Sequence, residues 1–215
     1  MKLVIANKNY SSWSMRPWVV LKHFGVPFEE VQVWLRRDDT GEQISRYSPS
    51  GRVPALVADD GRVVWDSLAI CETLAERFPQ HPWWPADSGL RALARSVSAE
   101  MHSGFGDIRE AMPMNVRIKR PAIGQRTELH DSVRRIDAIW QECLAQSGGP
   151  FLFGEFGIAD AMYAPVVMRF NSYQPTVLSA EARAYAARVT ALPAVQEWIS
   201  VSQDEPAIAY YDDAV

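Results

Sequence analysis

The sequence predicts two successive units: an α/β domain of about 80 residues, then an all-α domain. Three observations carry this. Short β-forming runs and helical runs alternate up to residue 78. A proline-rich stretch without periodicity follows, PQHPWWPAD at 79–87. Beyond it nearly every apolar run has helical spacing. The boundaries drawn are 1–80 for the first domain, 81–87 for the linker and 88–215 for the helical domain.

The first element is KLVIA at 2–6, a β-forming apolar run. A polar loop, 7–14, leads into MRPWVVLKHFG at 15–25, which has helical spacing and a glycine stop. Proline is tolerated only in the first helical turn, so Pro17 sets the start near Met15, with Ser14 as N-cap. Residues 28–33 alternate apolar and polar, as a half-buried strand does. A short helix is expected before Tyr47. Strands at 53–57 and 62–65 flank the turn Asp59-Asp60-Gly61, a hairpin signal. A helix at 67–78 carries Leu68, Cys71, Leu74, Ala75 and Phe78 on one face. Two strands joined by a helical crossover are parallel, and a hairpin is antiparallel. The order βαβ, helix, ββα is therefore that of a thioredoxin-like domain. In the second domain helices are expected at 90–112, 128–146, 158–170, 180–190 and 193–201.

Composition excludes several classes. The 215 residues are 47% hydrophobic and 22% charged, enough to bury a sizeable core. A net charge of −4 with no basic stripe argues against nucleic acid. Cys71 and Cys143 lie in apolar helical stretches and read as buried free thiols, which suits a reducing, cytoplasmic location. The N-terminus lacks an apolar leader, and no run approaches the ~20 residues of a membrane span. The four histidines are scattered, so no metal site is expected. There is no phosphate-binding glycine loop and no G-x-S-x-G.

Three segments carry chemistry together. Asn9-Tyr10-Ser11-Ser12-Trp13-Ser14 puts hydroxyls at a helix start, where free N–H groups favour an anion such as a thiolate. Plain helix capping accounts for the same residues. Arg52-Val53-Pro54-Ala55-Leu56 places a proline at a strand start, its only tolerated site within a sheet besides an edge. Trp65-Asp66-Ser67 sits at a strand-to-helix junction, again an anion-binding arrangement or a simple cap.

In this order the segments resemble the glutathione-binding domain of the cytosolic glutathione transferases. SSWSMRPW resembles the S-S-C-x-W-R motif of the zeta class. VPAL and DSLAICETLAERFP resemble the VP-x-L and E/D-S-x-A-I-x-x-Y-L segments. FGIADAMYAPVV resembles the S/T-x-x-D helix start of the C-terminal domain, with Gly157 in place of the hydroxyl residue and Asp160 kept. The resemblance extends over the whole chain.

The resemblance implies an enzyme that activates glutathione as a thiolate for attack on a small-molecule electrophile, without a metal. Ser11 matches the activating serine, with Ser12 and Ser14 as rivals. Trp13 and Arg52 join the glutathione site. Val53, presented by a cis Pro54, pairs with the cysteinyl backbone. Ser67 takes the γ-glutamyl carboxylate and Asp66 the amino group. Trp13 stands where zeta has cysteine, and Met15-Arg16-Pro17 replaces W-R-V, which weakens a maleylacetoacetate-type isomerase. That isomerase and a non-catalytic glutathione or ligand binder are the alternatives. The electrophile is expected between the domains. Its candidate contacts are Arg16 and the stripe Met101, Phe105, Ile108, Met112, with Arg109, Asn115 and Tyr173 as orienting groups. Core packing is the competing reading of that stripe. A cytoplasmic homodimer serving detoxification is also implied.

Overall fold

The computed structural model describes residues 1–213. Four strands form one mixed sheet: β1 (Lys2–Ile5), β2 (Glu29–Gln32), β3 (Ala55–Val57) and β4 (Val63–Val64). The spatial order is β2-β1-β3-β4. β1 runs parallel to β2 and antiparallel to β3, and β3 pairs antiparallel with β4. The thioredoxin-like reading of the first domain therefore holds.

β1 is central and buried on both faces, which is why it is apolar without alternation. Leu3 and Ile5 join the main core, where α1 (Ser12–His23) and α3 (Ser67–Arg77) cover the sheet. Val4 points the other way, to Val33, Ala55 and Ile44 of α2 (Thr40–Ser45).

The start of α1 differs from the expectation. It begins at Ser12, three residues earlier, with Ser11 as N-cap. Pro17 then lies inside the helix. Proline lacks the N–H that would bond the Trp13 carbonyl. The cap decides the boundary: Ser11 Oγ accepts from Ser14 N at 3.4 Å. Ser14 instead turns inward and accepts from Ala6 N at 3.1 Å. In α3 the N-cap is Asp66, and Ile70 joins Cys71 and Leu74 in the buried face.

The second half is helical: α4 (Ser88–Ser103), α5 (Gly106–Ala111), α6 (Pro121–Gly124), α7 (His130–Ser147), α8 (Ile158–Tyr173), α9 (Ala180–Thr190), α10 (Pro193–Ser202) and α11 (Ala209–Asp212). The single helix expected at 90–112 is two. Gly104 N–H closes α4 on Glu100 O at 2.8 Å, and Phe105 adopts φ 58°. A Cβ at Gly104 would meet that carbonyl oxygen at 2.8 Å, so the chain turns at the residue that can. Helical periodicity runs through this break and hides it. α6 and α11 are too short to show any period, and the sequence did not reveal them.

α8 is buried all round and packs on α1, α4 and α9. Its start explains Gly157. A Cβ there would meet the Trp83 carbonyl oxygen at 2.8 Å, and Ile158 N donates to the same oxygen at 3.0 Å. The linker thus docks where a hydroxyl residue would not fit. Asp160 accepts from Gly157 N and Leu152 N at 3.0 Å each, and from the Tyr185 hydroxyl at 2.9 Å. Burial raises its pKa to about 6 against those three donors.

Candidate active site

The site is built where α1 begins. β1 ends into a loop whose last residue, Ser11, caps the helix. Ser11 Oγ donates to Ser14 Oγ at 2.7 Å. Ser12 Oγ accepts from Arg169 Nη2 at 3.2 Å, a contact that spans the two halves of the chain. Both serines are buried.

Pro54 follows a cis peptide bond and precedes β3. Asp66 Oδ1 accepts from Leu68 N at 3.1 Å and Ala69 N at 3.4 Å. Its other oxygen meets His102 Nε2 of α4 at 2.9 Å. Ser67 is fully buried, and its Oγ accepts from Arg16 Nη1 at 3.3 Å.

Two cavities adjoin here. One, of about 490 Å³, is lined by Val53, Pro54, Asp66, Ser67, Trp65 and His102. The other, of about 430 Å³, is lined by Ser11, Ser12, Arg109, Met114, Arg169 and Tyr211. Trp13, Arg52 and Val53 line both, so Trp13 stands at the partition. Its indole carries two guanidiniums, Arg16 at 4.4 Å and Arg109 at 4.7 Å from the ring centre. A larger cavity of about 930 Å³ lies along the far side of α8, and its basic residues Lys119 and Arg183 are exposed. It brings no reactive groups together.

The electrostatics are unusual. Arg16 is fully buried and Arg169 is 4% exposed. Among the described residues neither has a carboxylate within ion-pair distance. Desolvation, and then repulsion from Arg109, lowers each pKa to about 9. Both therefore stay charged at neutral pH. Among the described residues, Arg16 Nε and Nη2 and Arg109 Nη1 are buried without a hydrogen-bond partner. Orphaned buried donors of this kind are costly unless an anion joins them.

The structure gathers Ser11, Ser12, Trp13, Arg16, Arg52, Val53, Pro54, Asp66, Ser67 and Arg109 around these two cavities. Three of the expected electrophile contacts, Met101, Tyr173 and Phe105, do not line these cavities. Met101 and Tyr173 are fully buried core residues, and the Tyr173 hydroxyl donates to Pro113 O at 2.8 Å. Phe105 sits in the kink after α4 and packs on the core. The stripe fails because no continuous helix joins its members. Arg109 does not act with Asn115 and Tyr173: it donates to the carbonyls of Met101 and Gly104 at the end of α4, and Asn115 binds Asn9.

Arg169, His102 and Tyr211 were missed. Arg169 left a signal, a lone charge inside the apolar run of α8. His102 and Tyr211 left none.

The family model "Glutathione S-transferase, N-terminal domain" matches residues 10–77, and "Glutathione S-transferase, C-terminal domain" matches 123–200. A zeta-class glutathione S-transferase of Euphorbia esula is 30% identical over 79% of this chain and 78% of its own length. The chain belongs to the glutathione S-transferase family. A probable maleylacetoacetate isomerase of Caenorhabditis elegans is 29% identical over 75% of each chain. Among solved structures, a Burkholderia glutathione transferase homolog with bound glutathione superimposes with TM-score 0.69 at 26% identity, covering 95% of this chain and 98% of that one. The transferase fold thus brings α1, the β3 start and the α3 start to one place, and α8 adds Arg169.

Proposed function

We propose that this transferase binds glutathione along the two cavities and activates it as a thiolate for attack on an electrophile. The observation that carries the reading is the pair of buried guanidiniums that, among the described residues, have no carboxylate within ion-pair distance. Arg16 bonds Ser67, at the end where the γ-glutamyl carboxylate would lie. Arg169 bonds Ser12, at the end where the sulfur would lie. Each leaves positive charge where the ligand brings negative charge.

The magnitudes suffice. A free thiol has pKa ~8.5, and each unit of lowering corresponds to ~1.36 kcal/mol. A hydrogen bond to a charged group contributes ~1.5–3 kcal/mol, and a helix start roughly 0.3–1 more. One donor at α1 therefore makes the thiolate the major form near neutrality.

Two hydroxyls compete for that role. The family motif favours Ser11, but its proton points to Ser14 Oγ. Ser12 accepts from Arg169, so its proton is free for the sulfur, and the guanidinium polarises it. The geometry favours Ser12 as donor, with Ser11 fixing the helix start. Val53 would pair with the cysteinyl backbone, and Asp66 with the amino group. Ser11→Ala and Ser12→Ala decide the matter through the pH profile of kcat/KM. The donor's variant loses about 100-fold, as when one transition-state hydrogen bond is removed, and its thiol midpoint rises. Unchanged profiles in both variants would remove the serines from the reaction.

One observation favours the isomerase as a second reading. Arg109 and Arg169 line the second cavity, and guanidiniums suit an electrophile bearing a carboxylate. Turnover of an unsaturated diacid with no net consumption of glutathione would select it; stable conjugates would select transfer. The reading extends to a detoxifying cytoplasmic homodimer, by resemblance to the family. A solution mass near twice 24.2 kDa tests the dimer.

A further inference from the structure

Residues 203–213 carry no motif, yet they bear on the serine pair. Glu205 is buried, and its carboxylate accepts from Lys8 N at 2.7 Å and Asn9 N at 2.9 Å. Those peptide groups lead directly into Tyr10 and Ser11. The Asp212 carboxylate accepts from the Tyr10 hydroxyl at 2.9 Å and from Asn115 Nδ2 at 2.7 Å. Arg120 donates to the Asp212 carbonyl at 2.7 Å. The Tyr10 hydroxyl itself accepts from Ile208 N at 3.0 Å and Arg117 Nη2 at 2.6 Å. Tyr211 stacks on Tyr10 with ring centres 5.0 Å apart. Arg36 lies 3.6 Å from the Tyr210 ring centre and 5.7 Å from that of Tyr211. These bonds strap residues 205–212 to the loop before α1 and hold Tyr211 in the wall of the Ser11–Ser12 cavity.

We propose that Tyr211 is a specificity-determining residue for the electrophile, selecting flat, conjugated or aromatic groups attached at the glutathione sulfur. The proposal rests on the glutathione reading above. A ring preorganised by stacking and by two anchored neighbours offers an aromatic partner at little entropic cost. Glu205 and Asp212 are positioning residues, acting through the loop and the strap.

Substituted glutathiones test this without turnover, because the group on sulfur reports on the second cavity alone. Glutathione, S-hexylglutathione and S-(4-nitrobenzyl)glutathione are titrated calorimetrically into the protein, Tyr211→Ala and Tyr211→Phe. The expected result is a preference for the nitrobenzyl ligand over glutathione that falls about tenfold in Tyr211→Ala, the size of one aromatic contact. It survives in Tyr211→Phe, and glutathione itself binds all three proteins alike. The hexyl ligand is affected less. An unchanged nitrobenzyl preference in Tyr211→Ala overturns the proposal. So does an equal loss of glutathione binding, which would place Tyr211 in the shared loop instead. Failure of the unaltered protein to bind any of the three ligands would remove the glutathione reading itself.

Discussion

Two regions of this molecule bury positive charge, and they treat it in opposite ways. Lys8 is 2% exposed and is paired with the Glu30 carboxylate. Glu30 also accepts from Trp18 Nε1 at 2.6 Å, and Lys8 lies 5.6 Å from the ring centres of Trp18 and Trp198. Its charge is answered from within the fold. Arg16 and Arg169 are about as deeply buried, share Arg109 as a neighbour, and among the described residues have no carboxylate within ion-pair distance. A compensated cation holds a structure together. An uncompensated one is a cost to the folded state that an incoming anion relieves. The difference separates a structural cluster from a candidate binding site without reference to any family.

Breaking each region should then give different losses. The largest effect is expected on turnover. Arg169→Met removes the group that polarises Ser12, and kcat/KM should fall about 100- to 1000-fold, the cost of one preorganised donor. Loss confined to stability would show Arg169 to be structural. Next is Lys8→Met, which strands Glu30 beside the core. Breaking a buried pair costs roughly 3–5 kcal/mol, and the partial exposure of Glu30 puts this case at about 2–3 kcal/mol. Denaturant unfolding should show it, with kcat per folded molecule kept near the parent value. Severe loss of kcat at full folding would blur the two regions.

A smaller effect depends on pH. Asp160 is a buried charge that helps organise α8, the helix carrying Arg169. Its folded pKa, about 6, lies above the unfolded value of 3.8. The folded state thus holds a proton that the unfolded state releases, and this contribution is lost as pH rises through about 6. The stability of the protein relative to Asp160→Asn should therefore be greater at pH 5 than at pH 7. A gap that grows with pH would show that the three hydrogen bonds outweigh burial.

The part of the candidate site that the first domain contributes was legible because its groups lie at the ends of elements. Ser11, Ser12, Val53, Asp66 and Ser67 each sit where a strand or loop meets the next element, and such junctions have local signatures. The start of α1 was misplaced because Ser11 and Ser14 are both competent caps. Only the Ala6 amide, which claims Ser14, separates them. The helical half was legible as helices but not as a site. Arg169 reaches Ser12 across 157 residues of sequence, and nothing in α8 names that partner. His102 and Tyr211 depend on how α4 and residues 205–212 dock, which spacing does not encode. Met101 and Tyr173 have the composition of pocket residues, yet packing placed them in the core.

The most direct test is a calorimetric titration of glutathione at pH 7 in two buffers of different ionisation enthalpy, with Arg16→Met alongside. Buried cations waiting for an anion predict binding with net proton release, and at least about tenfold weaker binding in the variant, equivalent to ~1.4 kcal/mol. Arg16→Met should also unfold no more easily than the parent without ligand, since it removes an uncompensated charge. Binding without proton release, or equal affinity in the variant, would contradict the account.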